Sequence, residues 1–154
     1  MGIEDDILFI ERVPTLRALG RDALRILAIG AESRYVHKGE VLFVAGETAD
    51  GGYIIQEGSF RLEGASKQAG ELIVGPGTLL GELALICEIR RPATATANEP
   101  STVIRISRSL FLKMLEGYPD AAHILRQQLA ARAQNAFGAI QDVRALLDAS
   151  ETPR

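Results

Sequence analysis

The sequence predicts a mainly β domain with added α: an antiparallel barrel or sandwich between short N-terminal helices and one long C-terminal helix. Three observations carry this. Ten of the fifteen glycines fall between Gly39 and Gly81, a density that suits many tight reversals. Across the same region short apolar runs alternate with turn signals at intervals of about 8–12 residues, the spacing of an all-β unit. From Pro119 to Ala149 there is one glycine, Gly138, against nine alanines, a helix-forming composition.

Residues 4–33 come first. Leu16, Leu19, Ala23, Ile26, Leu27 and Gly30 recur at three- and four-residue steps, which predicts two short amphipathic helices broken near Pro14 and Gly20. Residues 34–107 form the β region. Its apolar runs are Val41–Val44, Tyr53–Ile55, Phe60–Leu62, Leu72–Val74, Ala93–Ala97 and Thr102–Ile106. Turn signals punctuate them at Gly46–Gly52, Glu57–Gly58, Gly64–Gly70, Gly75–Gly77 and Asn98–Pro100. Leu79–Glu88 interrupts the alternation and reads as a short helical turn inserted between strands. Residues 108–149 are helical. Leu110, Leu112, Met114 and Leu115 belong to a brief helix ending at Gly117, and Pro119-Asp120 opens a second. Along that second helix Leu129, Ala133, Ala136, Ile140, Val143 and Leu147 recur at steps of 4, 3, 4, 3, 4. Such a heptad seam predicts homodimerisation through the C-terminal helix. Residues 1–149 thus read as one domain, with 150–154 a frayed tail.

Composition narrows the function. A chain of 154 residues ordinarily makes a single domain, and 47% hydrophobic with 24% charged residues is the balance of a globular one. Seventeen Lys+Arg against twenty Asp+Glu give −3, the wrong sign for a surface built to coat nucleic acid, so no direct DNA binding is expected. The longest uncharged stretch, Leu72–Gly81, is ten residues, well short of the roughly twenty apolar residues of a membrane span. Glu4, Asp5 and Asp6 stand where a signal peptide would be positive, and a cytoplasmic location is expected. One cysteine, Cys87, excludes an internal disulfide and a zinc cluster; it reads as a small buried hydrophobe. His37 and His123 fall in different zones, and neither a Ser–His–Asp arrangement nor a Walker loop occurs. No metal, no cofactor and no enzymatic activity are expected.

One constellation carries chemistry. Gly81-Glu82-Leu83-Ala84-Leu85 is followed, nine residues after Glu82, by Arg91 and then Pro92-Ala93-Thr94. Gly81 lets backbone approach a ligand closely, and the amides that open the turn after it supply donors for an anion. Glu82 accepts from a sugar hydroxyl, and Arg91 offers a guanidinium fork suited to phosphate. A donor-rich turn, one carboxylate and one arginine on a β-scaffold fit a small, singly charged phosphate ester with a free hydroxyl. Alone, the Glu82/Arg91 pair also suits a structural ion pair closing a turn, and Arg90 a solvated charge or a second phosphate contact.

With Lys38-Gly39-Glu40, Gly46-Glu47, Tyr53-Ile54-Ile55, Glu57-Gly58 and Gly75-Pro76-Gly77 in order around it, this constellation resembles the phosphate-binding cassette of the cyclic-nucleotide-binding domain. That is the domain shared by catabolite-activator-type regulators, kinase regulatory subunits and cyclic-nucleotide-gated channels. The resemblance runs from about Phe9 to Ala149. It implies an eight-stranded antiparallel β-roll, jelly-roll-like, with a C-terminal hinge and lid helix. It implies a regulatory sensor in which Gly81 and Ala84 supply backbone contacts to the ligand with Leu83 between them, Glu82 holds the ribose 2′-hydroxyl, and Arg91 pairs with the cyclic phosphate, followed by Pro92 and by Ala93, whose amide remains a donor. It places Arg132 near phosphate and ribose, and Ala136 and Phe137 against the base, where neither side chain can hydrogen-bond. Family members often carry Ser, Thr or Ala after the arginine, whose N–H also donates to phosphate. Pro92 has none. Threonine there accompanies cyclic GMP preference, so its absence points to cyclic AMP over cyclic GMP. The alternatives are a ligand-free β-roll for dimerisation or docking, and the sensor fragment of an activator-type transcription regulator. In every case the output passes to an unidentified effector protein.

Overall fold

The computed structural model describes residues 2–64, 70–128 and 131. The heptad seam from Leu129 onward, the lid residues Arg132, Ala136 and Phe137, and the tail 150–154 lie outside the described residues.

Three helices form the N-terminal zone, where two were expected: α1 (Ile3–Glu11), the four-residue α2 (Pro14–Arg17), and α3 (Arg21–Gly30). Glu4, Asp5 and Asp6 occupy the first turn of α1, where negative charge complements the helix dipole. The two expected breaks are where the helices part. Pro14 opens α2, and Gly20, at φ 91°, separates α2 from α3.

Ten strands follow among the described residues, where eight were expected: β1 (Glu32–Val36), β2 (Val41–Phe43), β3 (Thr48–Ala49), β4 (Gly51–Glu57), β5 (Phe60–Gly64), β6 (Glu71–Val74), β7 (Leu79–Leu80), β8 (Ile89–Arg90), β9 (Ala93–Ala97) and β10 (Ser101–Ser107). β3, β7 and β8 have two residues each, and β7 takes Leu79-Leu80, expected in a helical turn that the structure confines to Leu83–Leu85. β1 was missed because four of its five residues are exposed. All pairings are antiparallel. One sheet has the order β1-β10-β4-β7, a second β2-β9-β5-β6, and β3 pairs with β8 apart from both. The outcome is the antiparallel β-roll of mixed α and β content that the resemblance implied.

Two readings are corrected. Gly46–Gly52 reads as one turn, yet Gly51 and Gly52 begin β4. A Cβ at Gly51 would run into the Ile106 carbonyl oxygen across the ladder, so glycine there serves close strand approach and not reversal. Cys87 is exposed, not buried. It follows the end of a short 3-10 turn, Leu83–Leu85, and its Sγ donates to the Leu83 carbonyl at 3.4 Å.

The strands β4 and β10 divide the interior. Alternate side chains of a strand face opposite ways. Ile54, Ile104 and Ile106 join a core built with the helices, while Tyr53, Ile55 and Val103 join a core inside the roll. After β10, Ser107 caps α4 (Arg108–Gly117), its side chain accepting from the Leu110 amide at 3.2 Å. Residues 119–128 are again helical, as Pro119-Asp120 predicted. Among the described residues no helix is long and apolar enough to cross a membrane.

Candidate functional site

The segment from β7 to β9 wraps one mouth of the roll. β7 pairs with β4 through Tyr53↔Leu80, and the chain leaves it at Gly81, φ 85°, a left-handed conformation that favours glycine. A Cβ there would collide with Arg91 Nη1 and lie 3.1 Å from the Gly51 carbonyl oxygen. Glu82 caps the 3-10 turn that follows. The chain then forms β8, whose pairing with β3 sets the Arg91 backbone: Arg91 N donates to Glu47 O at 2.8 Å, and Gly46 N donates to Arg91 O at 2.8 Å.

These elements enclose a cavity of about 300 Å³. Phe43, Leu62, Leu79 and Ile89 give it an apolar wall, and Gly81, Glu82, Leu83, Arg91, Pro92 and Ala93 all reach it. Ala84 stands behind that wall. It is fully buried, its N–H donates to Gly81 O at 3.1 Å, and its carbonyl accepts from Arg108 Nη1 at 3.3 Å.

Arg91 is the unusual member. Its residue exposure is 5%. Nη2 donates to the Gly51 carbonyl at 3.0 Å, and Nη1 is buried with no hydrogen-bond partner among the described residues. None of the ion pairs formed by the described residues includes it. The guanidinium carbon lies instead 4.3 Å from the centre of the Phe43 ring and 5.6 Å from that of Tyr53. Burial lowers its pKa below the ordinary arginine value, opposed by Tyr53, Asp50 and Glu47. A buried cation with an unmade hydrogen bond is costly, and an acceptor brought to Nη1 would offset that cost.

Glu82 is held from a distance in sequence. Thr15 Oγ1, on α2, donates to Glu82 Oε1 at 3.1 Å, and Thr15 is buried. A second clamp comes from the first residue of α4: Arg108 Nη1 donates to the carbonyls of Ala49 at 3.1 Å, Ala84 at 3.3 Å and Cys87 at 3.0 Å. Arg90 is committed elsewhere, its Nη1 donating to Gly46 O at 2.9 Å. Sequence reasoning missed Phe43, Tyr53, Gly51, Thr15 and Arg108. Phe43 and Tyr53 looked like ordinary strand residues, and only the Gly51-Gly52 pair carried a signal of close approach.

Comparison with known proteins agrees with this geometry. The sequence profile described as "Cyclic nucleotide-binding domain" matches residues 33–118. The solved structure of a cyclic nucleotide-binding-like protein from Brucella abortus is 40% identical with a TM-score of 0.65, covering 73% of this chain and 98% of that one. The cyclic AMP receptor protein of Thermus thermophilus is 26% identical over 126 residues, 80% of this chain and 58% of its own length. The potassium channel SKOR of Arabidopsis thaliana is 27% identical over 131 residues, 82% of this chain. The chain spans only 16% of that channel.

Proposed function

The chain belongs to the cyclic nucleotide-binding domain family, and we propose that it is a regulatory sensor that takes up cyclic AMP in preference to cyclic GMP and signals to a partner protein by moving its C-terminal helix. The observation that carries this reading is Arg91, a buried cation lining a cavity of about 300 Å³ that forms no ion pair among the described residues and whose Nη1 has no hydrogen-bond partner among them. A cyclic phosphate carries one negative charge and accepts that bond. Glu82, on the same wall, accepts from the ribose 2′-hydroxyl, and the apolar wall takes the base. Pro92 offers neither an amide nor a hydroxyl, which removes a threonine-type donor for guanine and supports the preference for cyclic AMP.

Signalling follows from the clamp on α4. Arg108 ties the start of that helix to the carbonyls of Ala84, within the cassette turn, and Cys87, just after it. A turn drawn toward the ligand therefore pulls on α4 and on the helix after it. The ligand shifts that equilibrium only by its difference in affinity for the two arrangements. Homodimerisation through the C-terminal helix, a cytoplasmic location and an effector reached by protein contact belong to the same reading.

Calorimetric titration with cyclic AMP and cyclic GMP tests it. Saturable binding is expected, stronger for cyclic AMP. Arg91→Ala is expected to weaken it by about 1.5–3 kcal/mol, roughly ten- to hundredfold, the worth of a hydrogen bond to a charged group. No heat and no thermal shift with either nucleotide at millimolar concentration would instead leave a ligand-free interaction module.

A further inference from the structure

The cavity is lined by an arginine that forms no ion pair among the described residues, and two aromatic rings lie against its guanidinium. We propose that Phe43 and Tyr53 are positioning residues for Arg91, holding its guanidinium in place while leaving its full positive charge to the ligand. The proposal rests on the reading of Arg91 as the phosphate anchor.

The physical argument is one of alternatives. A buried guanidinium needs something to hold it, because burial disfavours its charge. A carboxylate would do so, but it would also neutralise the cation and compete with any anion entering the cavity. An aromatic face attracts a cation through its quadrupole and brings no net charge. Here the guanidinium carbon is 4.3 Å from the Phe43 ring centre and 5.6 Å from the Tyr53 ring centre. The two rings are themselves stacked, with centroids 6.0 Å apart and planes 24° from parallel. Both are buried. The Gly51 carbonyl fixes Nη2, so rings and carbonyl together set the direction in which Nη1 points. Phe43 also lines the cavity, which puts the platform beside the site.

Two measurements decide the role. The first compares cyclic AMP with adenosine, which has no phosphate, on Phe43→Leu and Phe43→Tyr proteins by calorimetric titration. Phe43→Leu keeps an apolar side chain but removes the ring, and cyclic AMP is expected to bind about tenfold more weakly, within the range of a desolvated cation–ring contact. Adenosine affinity is expected to stay within about twofold, and Phe43→Tyr to restore cyclic AMP binding to within about threefold, because a ring is back beneath the cation. Equal weakening of both ligands, or no rescue by tyrosine, would show that Phe43 only shapes the pocket.

The second measurement needs no ligand. In a double-mutant cycle of Phe43→Leu and Arg91→Met by chemical unfolding, the two effects are expected to be non-additive by about fivefold in the unfolding equilibrium constant. Strict additivity would overturn the positioning role. Since the cycle is read on the free protein, it decides that role even if no cyclic nucleotide binds, an outcome that would overturn the anchor reading alone.

Discussion

On one side of the β4–β10 pair lies a core of Ile7, Ile10, Leu16, Leu24, Leu27, Ile54, Ile104, Ile106 and Met114, contributed by the helices and the strand faces turned toward them. On the other side lies the interior of the roll, with Val36, Phe43, Tyr53, Ile55, Phe60 and Val103. The helical core is filled mainly by aliphatic side chains, with Phe111 among them, at or near complete burial, and no charged group is buried in it among the described residues. The roll core holds an aromatic pair with a buried guanidinium against it. By their buried residues the two share only the strands β4 and β10, so these strands alone do not set the difference. It teaches that one half of the molecule is organised for cohesion, and that the other gives up some cohesion to keep a charge where a ligand can meet it.

The largest effect that would break this contrast is expected in the helical core. Leu24 is fully buried on α3. Leu24→Ala should lower the unfolding free energy by about 2–5 kcal/mol, read from urea denaturation, because it leaves a cavity among rigid neighbours. By contrast, a loss below about 1 kcal/mol would mean that this core relaxes freely and is not the cohesive half.

A smaller effect sharpens the boundary between charge and backbone. Gly81→Ala places a Cβ against Arg91 Nη1 and forces a left-handed conformation on alanine. About 1–2 kcal/mol of stability should be lost, and cyclic AMP affinity should fall with it because the guanidinium is displaced. Retained affinity in that variant would show that Nη1 does not have to occupy its present position.

The smallest expected effect joins the two halves. Thr15, buried on α2 beside the core residue Leu16, reaches Glu82 on the wall of the cavity. Thr15→Val keeps the volume and removes the hydroxyl, at a cost of about 1 kcal/mol in unfolding free energy. An unchanged protein would mean that the helical core does not help hold the site.

Much of this molecule was legible before its structure. Glycine density and the spacing of apolar runs pointed to an antiparallel roll, and the breaks at Pro14, Gly20 and Gly117 coincide with helix ends. Gly81, Glu82 and Arg91 stood out because their chemistry is local: a left-handed turn, a carboxylate and a guanidinium within eleven consecutive residues. The errors share one cause. β3, β7 and β8 exist because another strand lies alongside, the exposure of Cys87 depends on where a short turn ends, and Gly51 was mistaken for a turn because close strand approach needs the same residue.

What the residues dictate by themselves is periodicity and local conformation, since those depend on neighbours a few positions away. That suffices for the class of fold and for the cassette that lines the cavity. Only tertiary structure decided what surrounds the cassette. Phe43 lies 48 residues before Arg91, Gly51 lies 40 before it, and Thr15 lies 67 before Glu82. No short-range pattern joins such positions. They meet because strands pair across the roll and Thr15 of α2 reaches the cassette, and that meeting leaves a buried arginine held by rings and in no ion pair among the described residues.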